Sequence, residues 1–292
     1  MKSTNSTTNS ELETLEAAAR QGRLWEQLRS LSLAQLGGLM LDPPSGKPTL
    51  AAMLPTMPPD SVQIAWTGNA GATLMTQAVE FAEHLERGFI QFIGRPLSGG
   101  QILDYGCGWG RHLRLMLRFS PPEKLFGCDA WDQSVDLCKQ HHVPATVAQC
   151  EYLPVKLPFT SSPKFDLIYA YSVFTHLSEL ACKAVLGAFK GSIGSSGLVA
   201  LTVRPEGYWD QHDQAQNAVD AEVMKRNHRQ RGFAFQPHKR APIDGDITYG
   251  DTSISLSYMR DAWLDWVVLG SVPTSDQNQI LVFLRKSGGS DR

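Results

Sequence analysis

The chain has 292 residues, enough for one large domain or a domain with an appendage. With 42% hydrophobic and 19% charged residues and a formal net charge of −2, its composition is that of a soluble globular protein and offers no basic surface for nucleic acid. No apolar run is long enough to span a bilayer, and five cysteines without a CxxC pair argue against a zinc site or a disulfide framework, so a reducing, cytoplasmic setting is expected.

Residues 1–9 read as a polar, disordered tail without the pattern of a signal peptide. Ser10-Glu11-Leu12-Glu13 has capping-box spacing, with Ser10 as N-cap. Leu12, Leu15, Ala19, Trp25 and Leu28 then share a helical face that Gly37-Gly38 is expected to stop. Pro43, Pro44, Pro48, Pro55, Pro58 and Pro59 predict an extended connector. A second helix is expected over Gly71–Phe89. Residues 10–97 thus read as a helical, proline-rich arm and lid ahead of a domain over 98–292.

From Gln101 the pattern alternates. Strands are expected at Ile102–Tyr105, Lys124–Cys128, Ala145–Gln149, Phe165–Ala170 and Gly197–Val203. Helices are expected at Arg111–Phe119, after Asp132, and after Ser178. Ser257 is the expected cap of a short helix through Trp263 and Trp266. Val267–Val272 and Ile280–Leu284 are apolar runs joined by a short link, which implies an antiparallel hairpin. The fold class is α/β: a Rossmann-like, mainly parallel sheet with helices on both faces.

The first strand runs into Asp104-Tyr105-Gly106-Cys107-Gly108-Trp109-Gly110-Arg111. A dinucleotide fingerprint requires G-x-G-x-x-G. Here the glycines fall at Gly106, Gly108 and Gly110, and Arg111 stands where the last glycine would be. Asp104 would repel a pyrophosphate and attract an ammonium group. A nucleotide-dependent oxidoreductase is therefore the weaker reading.

This segment resembles motif I of the class I S-adenosylmethionine-dependent methyltransferases, commonly Asp-x-Gly-Cys-Gly-x-Gly. Three further segments and the terminal hairpin resemble the same family. Phe126-Gly127-Cys128-Asp129 places a second acid 25 residues after Asp104. Gln149-Cys150-Glu151-Tyr152-Leu153-Pro154 is similar to the family's stretch after the third strand, with Gln149 in place of its usual Asp. Phe165–Leu177 and the terminal hairpin are similar to its fourth, sixth and seventh strands.

The resemblance implies S-adenosylmethionine as cofactor. It implies that Asp104, Gly106, Cys107, Gly108 and Gly110 hold the methionine part. It implies that Asp129 receives the ribose hydroxyls, with Ala130 and Trp131 beside the adenine. Gln149, Cys150 and Glu151 would meet the adenine edge. The implied activity is methyl transfer to oxygen or nitrogen of a small-molecule or glycan-like acceptor. A cofactor-binding regulatory protein on the same fold stays open, because fold alone does not give function.

Other residues are read directly. Trp66-Thr67-Gly68-Asn69-Ala70-Gly71 precedes a helix, so Thr67 and Gly68 could wrap the cofactor carboxylate or cap the helix. His176, just past the fourth strand, is a candidate base or a packing residue. Tyr171 lines a pocket or is an ordinary strand-end aromatic. Residues 205–256 form a long insertion expected to recognise the acceptor. Within it Arg229, Arg231 and Arg240 could meet an anion, and His212 with Asp213 could form a base pair of side chains or part of a metal site.

Overall fold

The computed structural model describes residues 7–159, 164–211, 220–275 and 278–288. Seven strands form the main sheet: β1 (Ile102–Tyr105), β2 (Leu125–Asp129), β3 (Thr146–Gln149), β4 (Phe165–Ala170), β5 (Ile193–Val203), β8 (Trp266–Pro273) and β9 (Ile280–Lys286). Their order is β3-β2-β1-β4-β5-β9-β8. β2 runs parallel to β1 and β3, and β4 parallel to β5. β9 is antiparallel to both β5 and β8, which is the C-terminal hairpin the sequence implies. A separate ribbon pairs β6 (Phe233–Pro237) antiparallel with β7 (Gly250–Ile254). No helix among the described residues is long and apolar enough to cross a membrane.

The chain divides into two compact units, Met1–Gln149 and Cys150–Arg292. In the first unit, α1 (Asn9–Arg20) begins two residues before the expected start. Thr8, not Ser10, is its cap: the Thr8 hydroxyl accepts the Glu11 amide at 3.3 Å, and Glu11 accepts the Thr8 amide at 2.7 Å. The same Thr-x-x-Glu spacing lies two residues upstream of the expected one. The long first helix expected from the sequence is broken at Gly22, where φ is +69°. It continues as α2 (Leu24–Leu28) and α3 (Leu33–Leu41). Gly37-Gly38 lies inside α3 instead of ending it. A side chain at Gly37 would start 2.8 Å from Val79 Cγ2 of α6 (Gly71–Ile93), so this glycine permits a close helix contact.

The proline-rich stretch is partly helical, as α4 (Pro48–Met53) and α5 (Asp60–Thr67). The buried carboxylate of Glu16 accepts the amides of Thr49 at 3.3 Å and Leu50 at 2.8 Å, anchoring α4 to α1. α6 buries Leu74, Met75, Ala78, Phe81, Ala82, Leu85 and Phe89, which recur at the spacing of one helical face.

The helix expected at Arg111–Phe119 does not form. A turn leads to a 3₁₀ segment, Leu115–Arg118. Arg114 explains the change. Its guanidinium is fully buried and donates to the Trp109 carbonyl at 2.7 Å and to the Thr56 carbonyl at 2.7 Å. The Trp109 carbonyl thus bonds to a side chain, and the backbone tightens to an i→i+3 register, with Leu115 N–H donating to His112 O at 2.9 Å. The first unit closes with α7 (Asp132–Gln140), which packs on β2 and β3.

In the second unit Ser178 caps α8 (Glu179–Ser192), as expected, accepting the Ala181 amide at 3.2 Å. The described residues of the insertion form regular elements. They make up α9 (Tyr208–Gln211), α10 (Ala221–Arg231) and the ribbon, with a small core of Trp209, Ala221, Met224 and Ala234. The ribbon is tied by main-chain bonds to the segments that leave β4 and β5. Gly250 N–H donates to His176 O at 2.8 Å, Thr252 N–H to Thr175 O at 2.9 Å and Ile254 N–H to Arg204 O at 3.1 Å. The next helix, α11 (Leu256–Ala262), is capped by Ser255 rather than Ser257, its hydroxyl accepting the Tyr258 amide at 3.1 Å.

Gly232 ends α10 in the left-handed region at φ +71°, and a side chain there would start 2.6 Å from both Ser255 Oγ and Tyr258 Cβ. Gly232→Ala is expected to lower the unfolding free energy by roughly 2–4 kcal/mol, combining left-handed strain with overpacking. Urea denaturation checks this; a loss under about 1 kcal/mol would refute the assigned geometry.

Candidate functional site

The glycine turn is built from the end of β1. Gly106 and Cys107 both donate their amides to the Cys128 carbonyl, at 2.7 and 3.1 Å, which fastens the turn to β2. Gly106, Gly108 and Gly110 all take positive φ, at +72°, +53° and +79°. A side chain at Gly110 would start 2.9 Å from Val143 Cγ2 and 3.2 Å from Cys138 Sγ, so packing as well as backbone requires glycine there. Asp104 and Cys107 are buried beside the turn. The Cys107 thiol is held protonated by its hydrogen bond with Cys138 and by burial.

Asp129 ends β2 and clamps the two turns together. Its Oδ2 accepts the Gly108 amide at 3.0 Å and its Oδ1 the Trp131 amide at 2.9 Å. Burial raises its pKa, and these N–H donors oppose the rise. Each carboxylate oxygen has a second lone pair for a further donor. Gln149, at the end of β3, donates its amide to the Ala130 carbonyl at 3.1 Å. Trp131 is 46% exposed, and the Trp66 indole of α5 stacks on it at 4.7 Å between centroids and 19° between planes.

Thr67 and Gly68 finish α5 rather than open α6. The Thr67 hydroxyl turns back to the Gln63 carbonyl at 2.8 Å, and Gly68, at φ +77°, donates its amide to Ile64 O at 2.8 Å. α6 starts at Gly71, whose amide is taken by Gln63 Oε1 at 3.1 Å.

In the second unit, Cys150 is buried, Glu151 is exposed and Tyr171 is half-buried just past β4. His176 lies in a polar cluster that the ribbon completes. Its Nδ1–H donates to the Gly250 carbonyl at 2.8 Å, and its Nε2 faces Arg204 Nη2 at 3.2 Å. Tyr249 stacks on the imidazole with centroids 4.9 Å apart and planes nearly parallel, at 3°. Burial first and the Arg204 charge second pull the His176 pKa down to about 4.

Asp251 is the centre of the cluster. Its Oδ1 accepts Arg204 Nη1 at 2.7 Å and the Tyr208 hydroxyl at 3.0 Å, and its Oδ2 faces His238 Nε2 at 2.8 Å. Burial alone raises the Asp251 pKa, but the His238 bond and the Arg204 charge outweigh it and hold the carboxyl at about 2. His238 Nδ1 has no hydrogen-bond partner among the described residues. Sequence reading passes over Arg204, Tyr249 and Asp251, whose pairing depends on the ribbon register; the signal available is a charged residue just past β5.

The three arginines separate. Arg229 pairs with Glu206 at 2.6 Å and Arg231 with Glu179 at 3.5 Å. Arg240 lies over the Tyr249 ring at 4.2 Å and has no carboxylate partner among the described residues. His212 and Asp213 lie outside the described residues, among which no cluster is arranged to hold a metal ion.

The unfolded His176 imidazole takes up its proton near 6.5, the folded one only near 4. Its contribution is therefore full above 6.5 and is lost as pH falls through that window, by roughly 3 kcal/mol. His228, also depressed by burial, adds in the same direction. Urea unfolding at pH 7 and pH 4.5 should show wild type losing stability on acidification and His176→Gln losing measurably less; equal losses would refute the buried neutral imidazole.

Residues 102–197 match a family model described as a methyltransferase domain. No curated protein matches the chain. Among solved structures the chain is similar to DhpI in its complex with SAH, at 10% identity and TM-score 0.49, covering 96% of each chain. It is similar to the magnesium protoporphyrin IX methyltransferase ChlM from Synechocystis PCC 6803 with bound SAH, at 13% identity and TM-score 0.48, covering 78% of this chain and 93% of that one. It is also similar to the glycopeptide N-methyltransferase MtfA complexed with sinefungin, at 11% identity and TM-score 0.47, covering 69% and 92%.

Proposed function

We propose that this chain, whose residues 102–197 match a methyltransferase-domain model, is a class I enzyme that transfers the methyl group of S-adenosylmethionine to oxygen or nitrogen of a small-molecule or glycan-like acceptor. The observation that carries the reading is the Asp129 clamp on Gly108 and Trp131. It leaves an oriented carboxylate beside three left-handed glycines, with an exposed aromatic face next to it. A vicinal diol needs two acceptor oxygens at fixed spacing, and a carboxylate anchored by two backbone amides supplies them without reorganising.

The cofactor supplies an electrophilic methyl on a sulfonium. The residues of the chain bind it, orient it and handle the acceptor proton. Gly106, Gly108 and Gly110 offer bare backbone to the methionine half, and buried Asp104 supplies the negative charge that suits its ammonium. Ala130, Trp131, Gln149, Cys150, Glu151 and Tyr171 are the remaining contacts of this reading. Thr67 and Gly68 contribute to ending α5 instead of offering free donors.

On the acceptor side, both nitrogens of His176 are already bonded and its pKa of about 4 makes it a poor base at neutral pH. His238 suits the task better. Asp251 orients its Nε2, and the opposite nitrogen has no partner among the described residues. Arg240, parked on Tyr249, is the cation of the insertion that favours an acceptor bearing negative charge.

Two measurements test this. Calorimetry should detect S-adenosylhomocysteine binding, and Asp129→Asn should weaken it about tenfold or more. No heat at millimolar ligand would sink the cofactor assignment, and unchanged affinity in the variant would sink the ribose role. Diethyl pyrocarbonate labelling mapped by mass spectrometry should modify His238 well before His176. The reverse order would refute the assignment of the open nitrogen.

A further inference from the structure

The element that meets the glycine turn from outside is α5, through Trp66. Its Cε3 and Cζ3 atoms lie 3.8 Å from the point where a Gly108 side chain would begin. The same indole stacks on Trp131 at 4.7 Å. Gly108 and Trp131 both donate their amides to Asp129. Trp66 therefore lies across both ends of the clamp to which the proposed function assigns the adenosine half of the cofactor, and this inference rests on that assignment.

Ring thickness limits what can fit here. Two aromatic rings in contact stand about 3.5–4 Å apart, so a purine lying between the two indoles would need roughly 7 Å from one to the other. The centroids are 4.7 Å apart, which leaves no such gap. Trp66 and a purine cannot use the same face of Trp131 together.

α5 is a short element bounded by turns. It has eight residues, with Pro58-Pro59 at its start and Gly68 at its end. A side chain at Gly68 or at Gly71 would meet nothing within 4 Å, and both residues take positive φ, at +77° and +58°. Buried Gln63 donates to Pro58 O at 2.7 Å and accepts from the Gly71 amide at 3.1 Å, so it holds the stretch on both sides and leaves Gly68 as the unencumbered turn between them. Trp66 lies inside the stretch this knot closes, about one turn after Gln63 and before Gly68.

We propose that Trp66 is a gate on the adenosine site: its stack on Trp131 competes with the adenosine of the cofactor, and binding breaks the stack. An aromatic pair of this kind contributes about 0.5–1.5 kcal/mol, which corresponds to a two- to tenfold effect on apparent affinity. The gate thus tunes access without abolishing it.

The experiment uses the full chain and S-adenosylhomocysteine. Circular dichroism tracks the exciton signal of the paired indoles, and calorimetry gives the affinity. In wild type the exciton signal should vanish as ligand saturates the protein. Trp66→Ala should lack the signal at the outset and bind about two- to tenfold more tightly, and Trp66→Leu, which keeps apolar bulk on α5, should do the same. A signal that survives saturation, or variants that bind equally or more weakly, overturns the gate. If neither wild type nor variants give any heat, the cofactor assignment itself has failed, and the gate falls with it.

Discussion

The first unit depends on one carboxylate. Asp129 takes the Gly108 amide on one oxygen and the Trp131 amide on the other, so the turns after β1 and β2 cannot move separately. Backbone amides at a tight turn have no partners within a strand or helix, and an anion that accepts two of them turns a flexible connection into a rigid one. The glycines make the geometry possible, since three left-handed positions so close together would strain any other residue. Freedom from the glycines and restraint from the acid together give a shaped, bare backbone surface.

The second unit uses an acid differently. Asp251 gathers a guanidinium, a phenol and an imidazole from three stretches of chain. Its position is set by the register of β7, whose amides are taken by the carbonyls that leave β4 and β5. The ribbon of the insertion is thereby registered on the segments that leave these strands by three main-chain bonds, from Gly250, Thr252 and Ile254. Burying the carboxylate is offset by the cation and donors around it, so loss of any one of them would leave charge exposed to a dry environment.

Much of this is legible in the order of residues alone. β4 covers Phe165–Ala170 and Ser178 caps α8, as the sequence implies, because an apolar run bounded by turn residues and a Ser before a helical stretch are local signals. The failures have local rivals or distant causes. Thr8 and Ser10, and Ser255 and Ser257, offer the same cap two residues apart, and context chooses between them. Gly37-Gly38 looks like a stop because its partner, Val79, lies far along the chain. The expected helix at Arg111–Phe119 yields to a guanidinium reaching back for the Trp109 carbonyl. Asp129 can be found through the resemblance of the second strand's end, Phe126-Gly127-Cys128-Asp129, to the methyltransferase family. Asp251 cannot, since its partners lie up to 47 residues away and meet only through strand pairing.

Arg114 has a bearing on modularity. Its buried charge is satisfied at one end by the glycine turn and at the other by Thr56, in the proline-rich stretch 58 residues earlier. The family match begins at residue 102, which invites the view that everything before it is an accessory. Yet a domain transplanted from that boundary would carry the guanidinium and leave behind the carbonyl that answers it. The arm is therefore inherited with the turn, and the portable piece of this protein starts well upstream of its recognisable motif.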